Sequence, residues 1–362
     1  MINRIYFIDI IRAFAILMML QGHFIDTLLD NSYRNLNSEV FLLWSFLRGI
    51  TAPLFFTISG LIFTYLMLKA NEKGYGESRM KKGFLRGLYL IAIGYFIRIN
   101  FLDWFSGYFN KSFLVVDVLQ CIGLSLIIVV SVFFICNKNN ILFLITSLIL
   151  GIIIFLLEPL YKSINIEVIP DFIHNYISRN NGSVFSIIPW YGYTSTGSFI
   201  AILFYWFLHK KYFKVIIISS FICTGLFLIY NSSNTLMFLF HKTDINVFRD
   251  AAYNNYLFTK LGYVLIYFAF FYLLEKYLKY PLILKIGKNT LPIYIIHFII
   301  LYGSFFRFGL KNFGRILSPI EAVFSVLLFL VVIIYLSFNY KKLNLVFIKC
   351  FNKISVYFKL KN

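Results

Sequence analysis

Arg12 and His23 fall within one long apolar stretch near the start of the chain, IDIIRAFAILMMLQGHFID, residues 8–26. Titratable side chains in such a stretch are costly inside a bilayer, so they tend to be kept for a task. Arg12 and His23 are eleven positions apart. At about 100° per residue they return to within about 20° of the same helical face, about 16 Å apart along the axis. Asp9 lies one turn before Arg12, and Asp26 one turn after His23. A helix here carries acid, guanidinium, imidazole and acid along one face. An imidazole, with an ordinary pKa of about 6.5, suits proton transfer near neutral pH. A guanidinium suits a phosphate.

The elements that hold these groups are legible in the composition. The 362 residues are 60% hydrophobic, with a mean hydropathy of +0.79. Long apolar runs recur along the whole chain, which indicates an all-α, polytopic integral membrane helix bundle. The short alternating segments of an outer-membrane barrel are missing. About ten transmembrane helices are expected, near 7–26, 41–68, 83–101, 113–136, 141–158, 186–208, 214–231, 258–275, 283–304 and 320–338. The longest expected loops are 159–185 and 232–257. The first stretch reads as a retained helix, since it is long, polar-studded and without a clean cleavage site. Residues 1–340 form the membrane domain, and 341–362 a basic cytoplasmic tail. No internal repeat and no pair of broken helices is legible.

The net charge is +19, yet no compact basic domain is visible, so nucleic acid is not an expected partner. With both termini cytoplasmic, the inner segments hold about twice as many Lys and Arg as the outer ones, as the positive-inside rule requires. That topology converts sequence position into depth. Arg12 lies near the cytoplasm. His23, Asp26, Arg48, Arg98 and Asp117, from four different spans or their edges, come to a similar depth near the outer side. Gln120 lies one turn deeper than Asp117. These groups suggest one polar chamber opening outward. In the ninth span Asn289 and Thr290 sit at the cytoplasmic end, and Tyr294 lies one turn from His297. Pro292 is expected in the first turns, where proline is tolerated.

Structural readings stand beside these. Arg48 and Arg98 can simply pair with acids, Asp9 can cap a helix, and His297 can bond between helices. The four cysteines and five histidines show no metal-ligand spacing, so no metal is expected.

At this point the residues resemble a known superfamily. The R-x10-H of Arg12 and His23 resembles the signature of the transmembrane acyltransferases. RGITAPLFFTISG (48–60) resembles their second-helix motif, and DVLQCIGLSL (117–126) the VLQ-x-IGL stretch of the heparan-alpha-glucosaminide N-acetyltransferase-like branch. PWYGYTSTG (189–197) is similar to a Pro-Trp-x-Gly segment. IGKNTLPIYIIH (286–297) is similar to the late helix of the acyltransferase-three branch. The resemblance implies a membrane acyltransferase that takes an acyl group, chiefly acetyl, from cytoplasmic acetyl-CoA or another acyl-CoA. It passes that group to a sugar or similar hydroxyl or amine on the far side. It implies His23 as the catalytic group and Arg12 as a group serving the donor.

In that frame Asp26 would orient the His23 ring, and Arg48, Arg98 or Tyr294 would stabilise an oxyanion. Asp9, Lys288 and Asn289 would join Arg12 on the donor, helped by Lys82 and Lys285. Asp117, Gln120, Tyr294 and His297 would contact the acceptor. Expected partners are membrane lipid, a sugar or glycan, and a second copy of the chain in a homodimer. The expected location is a bacterial cytoplasmic membrane. The rival from another class is a transporter or translocator of a glycan or lipid-linked sugar using the same polar groups.

Overall fold

The computed structural model describes residues 5–35, 37–161, 169–178 and 182–359, with side chains as far as Tyr340. Arg4, Lys162, Arg179 and Lys361, counted in the charge bias, lie outside the described residues. Eleven helices carry the architecture: α1 Tyr6–Leu28, α2 Glu39–Glu72, α3 Gly76–Phe96, α4 Val118–Ile135, α5 Asn140–Leu156, α6 Ile187–Phe207, α7 Phe213–Tyr230, α8 Tyr256–Leu273, α9 Pro281–Lys288, α10 Thr290–Tyr302 and α11 Pro319–Lys359. No strand occurs among the described residues. Two isolated bridges, Leu29 with Leu317 and Asn100 with Phe305, tie the loops together.

Six helices are long and apolar enough to cross a membrane, or seven if the bent pair α9–α10 is one span. They are α1, α2, a stretch ending in α4, α7, α8 and the first part of α11. The chain is thus built as a multi-pass membrane protein. Of the other expected spans, α5 has 17 residues, α3 is charged through its first half, and α6 is rich in Ser, Thr and Tyr. Exposed apolar rows support lipid contact. On α11, Ile320, Phe324, Leu327, Leu328 and Val331 all point outward.

Three features depart from the sequence reading. The ninth span is broken by 70° between α9 and α10. An unbroken helix would need a hydrogen bond from residue 292 to the Lys288 carbonyl, and Pro292 has no N–H to give. Asn289 closes α9 instead, its Nδ2 donating to the Lys285 carbonyl at 2.7 Å. The proline is tolerated because it falls at the third position of a new helix. Secondly, much of 232–257 is helical, over Ser232–Thr243 and Asn246–Tyr253. Thirdly, α11 runs without interruption across the expected boundary at 340.

α1 lies at the centre. Its Ile16, Leu20 and Phe24 belong to one apolar core, and its Phe7, Ile8 and Ile11 to a second. The most extensive packing joins α2 to α6, α7 to α8 and α3 to α4, and α1 lies along α9 and α2. Apolar surface gains little by moving from lipid to protein, so close approach of small residues does the joining. Gly60 of α2 abuts the Thr194 carbonyl, and Gly197 of α6 abuts the Thr57 carbonyl. Gly287 of α9 abuts the Asp9 carbonyl. A side chain at any of the three would meet backbone, which cannot swing aside.

Substituting Gly197→Val should therefore push α2 from α6 and cost about 1–3 kcal/mol. The check is the thermal unfolding midpoint in detergent; an unchanged midpoint would contradict this packing.

Candidate active site

Along one stripe of α1 run Arg12, Ile16, Met19 and His23, at helical spacings of four, three and four. His23 Nδ1 lies 2.8 Å from the Tyr302 hydroxyl at the end of α10. The imidazole of His297 lies beside it, ring centroids 5.5 Å apart. His297 is fully buried. It lines none of the cavities around His23, so an acceptor contact for it has no support. It backs the His23 ring instead.

Asp26 does not orient that ring. Its carboxylate is ion-paired with Arg48 and lies 3.6 Å from Arg34 Nη1. Arg34 also donates to the Ile25 and Asp26 carbonyls, at 2.9 and 2.7 Å. Two guanidinia hold this acid at the C-terminal end of α1, where the last helical carbonyls favour cations. The ring's partner is Tyr302, which the sequence reading missed. Nothing in its spacing marks it, because α10 meets α1 only through tertiary packing.

Arg98 follows the end of α3. It donates to Asp117 Oδ2 at 2.8 Å and to the Ser112 carbonyl at 3.3 Å. Its guanidinium lies over the Phe298 ring, 5.7 Å from the centroid. Asp117 is the N-cap of α4 and accepts from Val118 N at 2.7 Å. Gln120 completes a capping box, its Oε1 accepting from Asp117 N at 3.3 Å. Gln120 is fully buried and lines none of the cavities. In this structure it serves the cap.

The expected single chamber is two lobes. A cavity of ≈710 Å³ is lined by His23, Arg48, Asp117, Ser45, Lys260 and Tyr263, among others. A second of ≈410 Å³ is lined by His23, Arg98, Asp117, Asn100, Tyr302 and Arg307, among others. The lobes meet at His23, Asp117 and Val184. Asp26 lines neither, since its two arginines occupy it. At the nearby loop Asp30 accepts from Ser32 N and Oγ at 2.8 and 2.7 Å. These bonds hold its carboxyl below the usual carboxylate range.

Arg12 opens into a different space. Its Nη2 donates to Thr290 Oγ1 at 2.8 Å, and Nη1 lies 3.9 Å from Asp9. Arg12 and Thr290 line a cavity of ≈150 Å³ whose other polar members are Ser59, Arg79, Arg86 and Tyr294. The expected helpers differ. Lys82 and Lys288 are exposed on the surface, Asn289 bonds the α9 carbonyl, and Lys285 lies over the Phe338 ring at 4.0 Å. None of these four lines the cavity, nor does Asp9. Arg79 and Arg86, seven residues apart on α3, supply the charge instead. Their helical spacing was visible in the sequence, but not that this face of α3 turns toward Arg12. Among the described residues, no group of three or more His, Cys, Asp or Glu is placed to hold a metal ion.

Residues 4–243 match the family model described as heparan-alpha-glucosaminide N-acetyltransferase, catalytic. The matched range holds Arg12, His23, Arg48, Arg98 and Asp117 and ends before Thr290, His297 and Tyr302. No match was found among the curated proteins.

Replacing Arg98 by Ala would leave Asp117 charged, half-enclosed and without its closest cation. The expected loss is about 3 kcal/mol of stability. Chemical unfolding of Arg98→Ala beside Arg98→Ala/Asp117→Asn checks this, and the double variant should recover part of the loss.

Proposed function

Since the chain belongs to the heparan-alpha-glucosaminide N-acetyltransferase catalytic family, we propose that this membrane acetyltransferase uses acetyl-CoA from the cytoplasm. It transfers the acetyl group to an amine or hydroxyl of a sugar on the outer side, with His23 as general base. One observation carries the reading. Arg12 and His23 share a stripe of α1 yet open into different cavities, the first with Arg79 and Arg86 and the second with Arg48 and Asp117. Three guanidinia around a mostly apolar cavity suit a donor that joins phosphates to a long, weakly polar arm.

The proposed topology has ten crossings with both termini cytoplasmic, in a bacterial cytoplasmic membrane, and rests on the bias of Lys and Arg. It sets the Arg12 cavity on the side where acyl-CoA is found. Membrane lipid and a sugar acceptor are the partners this scheme requires.

The chemistry needs no redox step. A thioester is already activated toward attack. The acceptor's N–H or O–H loses its proton to His23 as its lone pair forms a bond to the acyl carbon. The C–S bond then breaks, and the proton passes to the departing CoA sulfur. For Nε2 to act as the base, Nδ1 must carry the ring hydrogen and donate it to Tyr302 Oη. The 2.8 Å contact suits that tautomer. Arg48 and Arg98, each anchored by a carboxylate, border the lobes where negative charge on the carbonyl oxygen would develop.

The test is CoA thiol release from acetyl-CoA by the purified protein in lipid vesicles. The acceptor probes are methyl α-glucosaminide and mixed soluble glycans. His23→Ala should lower release by about 10²–10⁴-fold. Equal release in wild type and His23→Ala would exclude His23 as the base. No release with any acyl-CoA would turn the reading to the transporter. Tyr302→Phe should lower kcat by about tenfold or more with a smaller change in donor KM, because it frees the tautomer and leaves the donor cavity intact.

A further inference from the structure

The donor-side cavity and the larger outer lobe share three lining residues: Met19, Phe55 and Val118. Each belongs to a different helix, and on each helix the lining changes cavity at that residue. On α1, Arg12 and Ile16 line the donor side, and His23 lines the outer side. On α2, residues from Arg48 to Ala52 line the outer lobe, and those from Ile58 to Leu66 the donor cavity. At α4, Asp117 lines the outer lobe, and Leu119, Ile122 and Leu126 the donor cavity. Met19 lies about 10.5 Å beyond Arg12 along the axis and about 6 Å short of His23.

These three side chains form a septum between the cation-lined space and the imidazole. An acyl group held by a donor at Arg12 must pass it to come within reach of His23. From this we infer that Met19, Phe55 and Val118 are the acyl-selecting residues of the enzyme, and that they select by width, not by length. A straight acyl chain presents the same cross-section whatever its length. Its tail projects into a lobe of ≈710 Å³. A branched or aromatic acyl group is wider and meets the septum before its carbonyl reaches His23. Methionine suits the position, because its unbranched chain has three rotatable bonds and can swing as the acyl group passes. The transfer itself is unchanged: the acyl carbon exchanges its C–S bond for a C–N or C–O bond, and His23 moves the proton to the CoA sulfur. The inference rests on the acyltransferase reading.

The experiment measures CoA release from acetyl-, butyryl-, isovaleryl- and benzoyl-CoA, with the same acceptor probes, by wild type, Met19→Ala, Phe55→Ala and Val118→Phe in vesicles. Each variant is also assayed for binding of labelled acetyl-CoA and for monodispersity. Wild type should turn over the two straight donors and discriminate against the two wide ones. Met19→Ala and Phe55→Ala should raise the benzoyl-to-acetyl ratio by about tenfold or more, the scale of selection by a fitted apolar pocket. Val118→Phe should lose turnover while still binding acetyl-CoA. Should Met19→Ala fail to accumulate, Val118→Ala reads the same ratio. An unchanged donor profile in monodisperse variants of an active wild type overturns the septum alone. Silence of wild type with all four donors overturns the acyltransferase reading and this inference with it.

Discussion

A charged or strongly polar side chain in an apolar surround is costly without a partner, and α1 draws its partners chiefly from elsewhere in the chain. Arg12 is met by Thr290, His23 by Tyr302, and Asp26 by Arg48 and Arg34. An unpaired polar group in such a setting costs several kcal/mol. These contacts therefore do two things together. They make α1 tolerable at the centre of the bundle, and they fix its rotation against α2 and α10. The site is a by-product of that requirement: the stripe that needs partners is the stripe that lines the cavities.

The break between α9 and α10 falls beside these contacts. Thr290 reaches Arg12 from the first residue of α10, and α9 lies against α1 at Gly287 and Asp9. The missing N–H of Pro292 makes the bend cheap. The polar groups of the outer lobes are ordered by a second local device. Asp117 caps α4 and pairs with Arg98, so one carboxylate sets both the start of a helix and the position of a guanidinium.

The two spaces share one apolar side chain from each of three helices, Met19, Phe55 and Val118. A thick wall would separate donor from acceptor, and an open channel would leak ions across the membrane. In the proposed scheme a thin one with a flexible methionine reconciles transfer with closure. The tight glycine contacts between α2 and α6 lie close by in the chain, at Thr57 and Gly60, two and five residues after Phe55.

Much of this was legible in the residues. Hydropathy alone determined the helical membrane class, because backbone polar groups in lipid must bond within their own helix. The 3.6-residue period placed Arg12 and His23 on one face, and position along the expected spans grouped His23, Arg48, Arg98 and Asp117, which border the two lobes. The period of one helix says nothing of how that face is turned toward its neighbours. Hence spacing points Asp26 at the imidazole that Tyr302 meets, and points to Lys82 and Lys288 where Arg79 and Arg86 line the cavity; it does not show that Gln120 closes a cap. Sequence determined which chemical groups lie in the apolar stretches and on which helical face. Tertiary structure alone decided which of them meet, because contact between helices depends on crossing angle and rotation, and these follow from the packing of small residues on many helices at once.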